Sequence, residues 1–171
     1  MTNRANASKH THIFKTSMIL SAGIEDVFAF FSNAKNLERI TPKELCFRIL
    51  TPQPITMQQH TTIDYQLKLY GLPFRWRACI TTWDPPHTFV DAQEKGPYRT
   101  WIHTHQFRTV HNGTEIIDQV LYRLPFLPVG EVFHPLIAAQ IERIFAFRQA
   151  TITHIFQTRN TQENCLRSES N

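Results

Sequence analysis

The stretch Trp101-Ile102-His103-Thr104-His105-Gln106-Phe107 sets two imidazoles two residues apart among large rings. Alternate residues of a strand point to the same side. Trp101, His103, His105 and Phe107 therefore share one face, and Ile102, Thr104 and Gln106 the other. The aromatic face is the one to bury, and imidazoles on a buried face call for hydrogen-bond partners, a ligand or a metal.

The partners are sought on the next strand. His111-Asn112-Gly113-Thr114 is a hairpin signal, because Asn-Gly tolerates the positive φ angles of a two-residue turn. With Asn112 and Gly113 as that turn, Phe107 faces Asp118, His105 faces Val120 and His103 faces Tyr122. Opposed residues sit about 5 Å apart at Cβ and diagonal ones about 7 Å. Asp118 then lies diagonal to His105 and accepts its N–H, and Tyr122 bonds His103. His105, Asp118 and Tyr122 are the candidates for acid–base work. A shift by one residue would turn Asp118 outward.

Two further strands and a helix add candidates. On the preceding strand, Phe89, Asp91 and Gln93 share one face, and Val90 and Ala92 the other. If Phe89 is buried, a carboxylate and an amide join the histidines; the alternative turns Val90 and Ala92 inward and leaves Asp91 in water. In the C-terminal segment, Ile137, Ile141, Ile144, Phe145, Ile152 and Ile155 form one helical arc, and Arg148 falls inside it. A guanidinium there must snorkel to an open end, meet Asp91 or Asp118, or hold an acidic group of a ligand. His103-x-His105 with an acid nearby suits Zn or Fe, but no third histidine is placed, so the expectation is no metal and no cofactor. Arg75 and Arg77 share a face with Cys79 and read as a solvated sheet face. No Ser-His-Asp set, Gly-rich phosphate loop or HExxH motif appears, which leaves nucleophilic hydrolysis and nucleotide chemistry without support.

The elements that must position these groups are legible in order. His12–Leu20 reads as a strand, and Ile24–Asn33 as a helix with Val27, Phe28 and Phe31 on one face and Ser21 as its cap. Ala34–Ile40 reads as a second short helix capped by Asn33 and closed by Pro42. Strands follow over Leu45–Leu50, Ile63–Tyr70, Phe74–Trp83, Thr88–Glu94, Tyr98–Val110 and Glu115–Leu124. Tyr65 shares the apolar face of its strand with Ile63, Leu67 and Leu69. The helical period then takes over, with Pro135 tolerable in its first turn. The fold class is α+β: a seven-stranded antiparallel sheet with one long C-terminal helix and two short helices between strands 1 and 2. Residues 1–11 read as a flexible N-terminus, 12–157 as one domain, and 158–171 as a disordered tail.

Composition narrows the function classes. The 171 residues are 42% hydrophobic and 19% charged, which is globular. A net charge of +4 without a basic run is weak support for nucleic acid, and none is expected as a partner. Three cysteines, Cys46, Cys79 and Cys165, with no CxxC pair, fit a reducing, cytoplasmic setting. No apolar run reaches the roughly 20 residues of a membrane span.

Val27-Phe28-Ala29-Phe30-Phe31, Asn36-Leu37-Glu38-Arg39-Ile40-Thr41-Pro42, Thr82-Trp83-Asp84-Pro85-Pro86 and Gly96-Pro97-Tyr98, taken with the element order over residues 12–157, resemble the START-like, helix-grip (SRPBCC) superfamily and its bacterial polyketide cyclase/dehydrase-like branch. The resemblance implies a curved sheet wrapped round the C-terminal helix, with a deep cavity between them for a lipid, sterol, quinone or polyketide. It implies no family-wide catalytic motif.

The expected function is binding or carriage of a hydrophobic small molecule by a monomer or homodimer. Tyr65, Trp101, Phe107, Ile141 and Phe145 would give apolar contact. His103, His105, Asp91, Gln93, Asp118, Tyr122 and Arg148 would orient a polar head. The alternative is a cyclase/dehydratase with His105 and Asp118 as its acid–base pair and Arg148 or Tyr122 stabilising an enolate.

Overall fold

A computed structural model of the chain describes residues 10–126 and 128–169; for 160 and 163–169 it describes the backbone alone. In chain order the elements are β1 (His12–Leu20), α1 (Ile24–Phe31), α2 (Ala34–Arg39), a 3-10 turn (Lys43–Leu45), β2 (Arg48–Ile49), β3 (Thr62–Leu69), β4 (Leu72–Asp84), β5 (Thr88–Lys95), β6 (Thr100–Val110), β7 (Gly113–Arg123), α3 (Val129–Val132) and α4 (His134–Glu169). The seven strands form one antiparallel sheet in the order β1-β7-β6-β5-β4-β3-β2. β1 and β2 are its two edges, so α1 and α2 carry the chain from one edge to the other.

Curvature has a local cause. The β4–β5 register shifts between Arg77 and Ala78 and again between Ile80 and Thr82. Such irregularities bend a strand and increase its twist. The concave face so formed receives α4. Ile141 and Phe145 pack with Val120, Tyr122 and Leu124, and Ile152 and Phe156 pack with Val27, Phe28, Phe107 and Ile116 under α1. Among the described residues, no helix is long and apolar enough to cross a membrane.

Several boundaries differ from the sequence expectation. The second strand is cut to Arg48–Ile49, because Lys43–Leu45 makes a 3-10 turn and Cys46 takes a left-handed conformation with φ of 45°. The cap position of α1 is Gly23, with no side-chain cap bond, rather than Ser21. Asn33 does cap α2, its Oδ1 accepting from Lys35 N. Pro135 lies in the first turn of α4, as it must. α4 runs on to Glu169, so the tail expected over 158–171 is helical as far as it is described. The physical reason is the absence of a stop signal: residues 158–169 contain neither Gly nor Pro. The hydroxyls of Thr158 and Thr161 donate to carbonyls one turn back. Residues 1–9 of the expected flexible N-terminus, and 170–171, lie outside the described residues.

The β6–β7 register also differs. Val110 pairs with Gly113, so the turn is His111-Asn112, and His105 stands directly opposite Asp118, His103 opposite Val120 and Trp101 opposite Tyr122. Gly113 has φ of 142°, and a Cβ on it would run into the Leu20 carbonyl. The glycine serves a close approach of β1 to the start of β7, not the turn itself. The pairing slides by an even number of residues, so every side chain keeps its face.

Candidate functional site

The concave face and the inner stripe of α4 do not close on each other completely. A cavity of about 170 Å³ lies between them, some tenfold the roughly 10–15 Å³ that one water needs. Phe30 and Phe31 of α1, Leu37 of α2, Tyr65 of β3, Trp76 of β4 and Ile141, Ile144 and Phe145 of α4 are among its walls. One side is an aromatic box. Tyr65 stacks on Trp76 with centroids 5.8 Å apart and planes 15° apart, Trp101 stands edge-on to Trp76 at 5.3 Å, and Tyr98 packs on Trp101 at 4.7 Å. Stacked and edge-on rings prefer such offsets.

The polar wall is built by β5, β6 and β7. Pleat alternation sends His103 and His105 inward with Trp101 and Phe107, leaving Ile102 largely exposed. Asp91 opposes His103 on β5 and Asp118 opposes His105 on β7. His103 Nε2 is 3.0 Å from Asp118 Oδ1 and its Nδ1 is 3.5 Å from Asp91 Oδ2. His105 Nε2 is 3.2 Å from the same Asp91 oxygen, and its Nδ1 is 2.9 Å from Asp118 Oδ1 but poorly aligned for a hydrogen bond. The two rings are 3.8 Å apart, and Phe89 stacks on His105 at 4.1 Å. Two carboxylates and two imidazoles thus form a closed ring of contacts.

Electrostatics separate the four groups. Burial works against ionisation of Asp118, yet the imidazole contacts outweigh it and hold the carboxyl far below the usual carboxylate range. Asp91 is lowered by the same balance. Burial depresses His103, reinforced by the charge of His105. Burial also acts to lower His105, but its contacts with Asp118 and Asp91 prevail and raise it. The site thus favours a proton on His105 over one on His103.

Arg148 enters from α4. Its guanidinium lies 5.0 Å over the Phe145 ring, and burial pushes its pKa down. Among the described residues, its buried Nε has no hydrogen-bond partner, and neither has the buried indole Nε1 of Trp76. Both residues belong to the cavity wall.

Of the residues singled out from sequence, Tyr65, Asp91, Trp101, His103, His105, Ile141, Phe145 and Arg148 line the cavity. Phe89 is buried and Asp91 faces inward, which decides between the two readings of β5. Asp118 touches both histidines but stands behind them, off the cavity surface. Phe107 fills core between Phe28, Phe31 and Phe89. Gln93 spans the β5–β6 turn, donating from Nε2 to Tyr98 O at 2.6 Å and accepting from Tyr98 N at 3.3 Å. Tyr122 does not bond His103; its hydroxyl meets His134 Nε2 at 3.1 Å, because the observed register moves it opposite Trp101. Arg77 on the outer face pairs with Asp64 at 2.8 Å. Sequence reasoning missed Trp76 and Tyr98 as cavity residues. Trp76 was detectable, since it alternates with Arg75 and Arg77 on β4.

The architecture is a helix-grip fold. No protein-family model and no curated protein sequence matches the chain. Solved structures do resemble it. The Zhui aromatase/cyclase of a Streptomyces species has a TM-score of 0.71 over 88% of this chain and 96% of its own, at 13% identity. Protein TTHA0849 of Thermus thermophilus has a TM-score of 0.70, covering 86% and 99%, also at 13% identity. Major latex-like protein 151 of Panax ginseng has a TM-score of 0.61, covering 85% and 97%, at 8% identity. The likeness at these identities is one of fold.

Proposed function

We propose that the protein binds or carries an apolar, ring-containing small molecule bearing an acceptor oxygen, held in the cavity with its polar end toward Arg148, Asp91 and the histidine pair. One observation carries the reading. Two buried donors, Trp76 Nε1 and Arg148 Nε, lack partners among the described residues, in a wall that is otherwise largely apolar. Buried donors are ordinarily satisfied, and a bound carbonyl, carboxylate or phenolate oxygen would satisfy them. The aromatic box suits a flat ring, as in a quinone or an aromatic polyketide; lipids and sterol-like molecules share the required polarity. The fold of the Streptomyces aromatase/cyclase supports a hydrophobic ligand of this kind. The proposed setting is the cytoplasm, as a monomer or homodimer and without nucleic acid.

Native mass spectrometry of protein purified from its own host tests this, together with titration of its tryptophan fluorescence by flat phenolic and carboxylate probes. A co-purifying apolar molecule and saturable quenching through Trp76 and Trp101 are expected. A chain that arrives without ligand and binds no such probe removes the reading.

A second reading is favoured by the raised pKa of His105 on the cavity wall. There the protein is a cyclase/dehydratase-type enzyme, with His105 moving a proton and Asp118 holding its ring. General acid–base help of this kind contributes about 10²–10⁴-fold. Unchanged turnover of the identified ligand in His105→Gln would remove it.

A further inference from the structure

Asp118 Oδ1 receives the rings of both histidines from behind the cavity wall, at 3.0 Å from His103 Nε2 and 2.9 Å from His105 Nδ1. Asp118 accepts the Nε2–H of His103, which leaves a lone pair on Nδ1 of that ring when it is neutral. His105 Nδ1 is poorly aligned on Asp118, and the hydrogen bond of this ring runs from Nε2 to Asp91 Oδ2 at 3.2 Å. His103 Nδ1 faces the same Asp91 oxygen at 3.5 Å. Once the His105 Nε2 proton is gone, three electron-pair donors converge on one spot, and something positive must join them. A proton on one ring is the minimal answer. A divalent ion is the other, and the two separations from Asp91 suit it. Ligand atoms at about 2.0–2.1 Å from a tetrahedral ion stand about 3.3 Å apart, between the two observed separations. The three ligand atoms all lie within 4.8 Å of one another.

The surroundings fit as well. A ligating histidine commonly donates its second N–H to a carboxylate, which fixes tautomer and ring orientation; Asp118 does this for His103 and lies 2.9 Å from His105 Nδ1. His103, His105 and Asp91 all line the cavity, which supplies an entry path and an open coordination position. Arg148 is the one lysine or arginine among the described lining residues, and Asp91 at the wall together with Asp118 behind it outnumbers that cation. Imidazole and carboxylate together suit zinc and its first-row neighbours.

We propose that His103, His105 and Asp91 bind a divalent ion of the zinc type, with Asp118 as the positioning carboxylate and the fourth position open to the cavity. The assignment stands apart from the identity of the cavity's organic ligand. If the two coincide, an acceptor oxygen near Arg148 would complete the coordination.

The test uses the full chain, stripped with a chelator and refilled with Co(II) or Zn(II) alone. One ion per chain is expected, with the visible ligand-field absorption of four-coordinate Co(II) and paramagnetically shifted resonances from two imidazoles. Asp91→Asn, nearly isosteric and at the cavity wall, should weaken binding by more than about tenfold, and Asp118→Asn by about 10–100-fold. Circular dichroism of the metal-free variants checks that they fold, and the wild-type cobalt spectrum decides even where one does not. His12→Ala breaks the separate His12–Glu131 contact of 2.9 Å and should leave uptake unchanged. No uptake by the wild type, uptake that survives Asp91→Asn, or uptake lost in His12→Ala would overturn the proposal.

Discussion

His103 Nε2 donates to Asp118 Oδ1 at 3.0 Å, although the residue directly across the ladder from His103 is Val120. The bond runs diagonally, because Asp118 is shared with His105, its true opposite. One carboxylate thereby compensates two buried rings. Asp118→Ala takes the acceptor from His103 and leaves any charge on His105 facing Asp91 alone. Breaking a buried pair by removing one partner costs about 3–5 kcal/mol, and urea unfolding should show that loss at an unchanged slope. Asp118→Asn keeps an acceptor oxygen and should lose less. A loss below about 1 kcal/mol in the alanine variant would show that the network contributes nothing to stability.

Gly113 and Gly71 differ in a way that substitution can read. Both have positive φ, but a Cβ at Gly71 would meet nothing within 4 Å, whereas one at Gly113 would strike the Leu20 backbone. Gly71→Ala should cost about 1–2 kcal/mol from backbone strain alone. Gly113→Ala adds a steric term against main chain that cannot swing aside, so its thermal midpoint should fall clearly further. Equal shifts would mean that β1 moves freely away from β7.

That glycine also explains what the sequence could and could not reveal. Period-two alternation made the inward face of β6 readable, and Phe89 made Asp91 readable beside it. The fold followed from the element order and from a helical period that only a broad sheet could cover. The β6–β7 register was misread because Asn112-Gly113 resembles turn chemistry, while the actual demand on Gly113 comes from Leu20, far away in the chain. Tyr122 was misassigned for the same reason, and its real partner, His134, lies past the Pro-rich connection, where no periodicity reaches. Phe107 and Gln93 point the expected way but are taken up by α1 and by a turn. Depth on a shared face depends on what packs above it, and spacing carries no information about that.

Ile152 and Ile144 sit on the same helix in different surroundings. Ile152 is 1% exposed and packed in the cluster under α1, while Ile144 borders the cavity. Truncating a filled position removes buried methylenes and leaves a new void, at about 2–5 kcal/mol for Ile→Ala. Truncating beside existing space creates less new void. Denaturant unfolding should therefore put Ile152→Ala in that range and Ile144→Ala below it. The reverse order would mean that the cavity is collapsed in solution.

Arg148 separates charge from shape in ligand binding. Its guanidinium lies over Phe145 and borders the cavity, with Nε unpartnered among the described residues. Arg148→Met retains much of the apolar stem and removes the cation. A probe with a carboxylate or phenolate head should bind at least about tenfold more weakly, on the scale of a lost charge-assisted hydrogen bond of about 1.5–3 kcal/mol. A neutral probe of the same shape should bind almost as before. Fluorescence titration of both probes reads the contrast, and equal losses would assign Arg148 a packing role only.

His134 supplies a pH dependence at the start of α4. Its ring stacks on His12 at 3.7 Å, its Nε2 meets the Tyr122 hydroxyl at 3.1 Å, and Glu131 lies 2.9 Å from His12 and 3.8 Å from His10. Burial lowers the His134 pKa, charge on His12 lowers it further, and Glu131 partly opposes both. An unfolded His134 takes up its proton near the ordinary value of about 6.5, and the folded one only below that. Above that value both states are neutral here and the group contributes nothing. As pH falls through it, the unfolded state binds more protons than the folded state, so stability falls with pH until the folded ring is also protonated. NMR titration should place His134 below the ordinary histidine value, and the unfolding midpoint should decline over the same window. His12→Ala removes the stacked charge, so it should move the His134 titration back upward and flatten that decline. A His134 that titrates at or above the ordinary value, or a decline unchanged in His12→Ala, would mean that the stack does not hold the ring neutral.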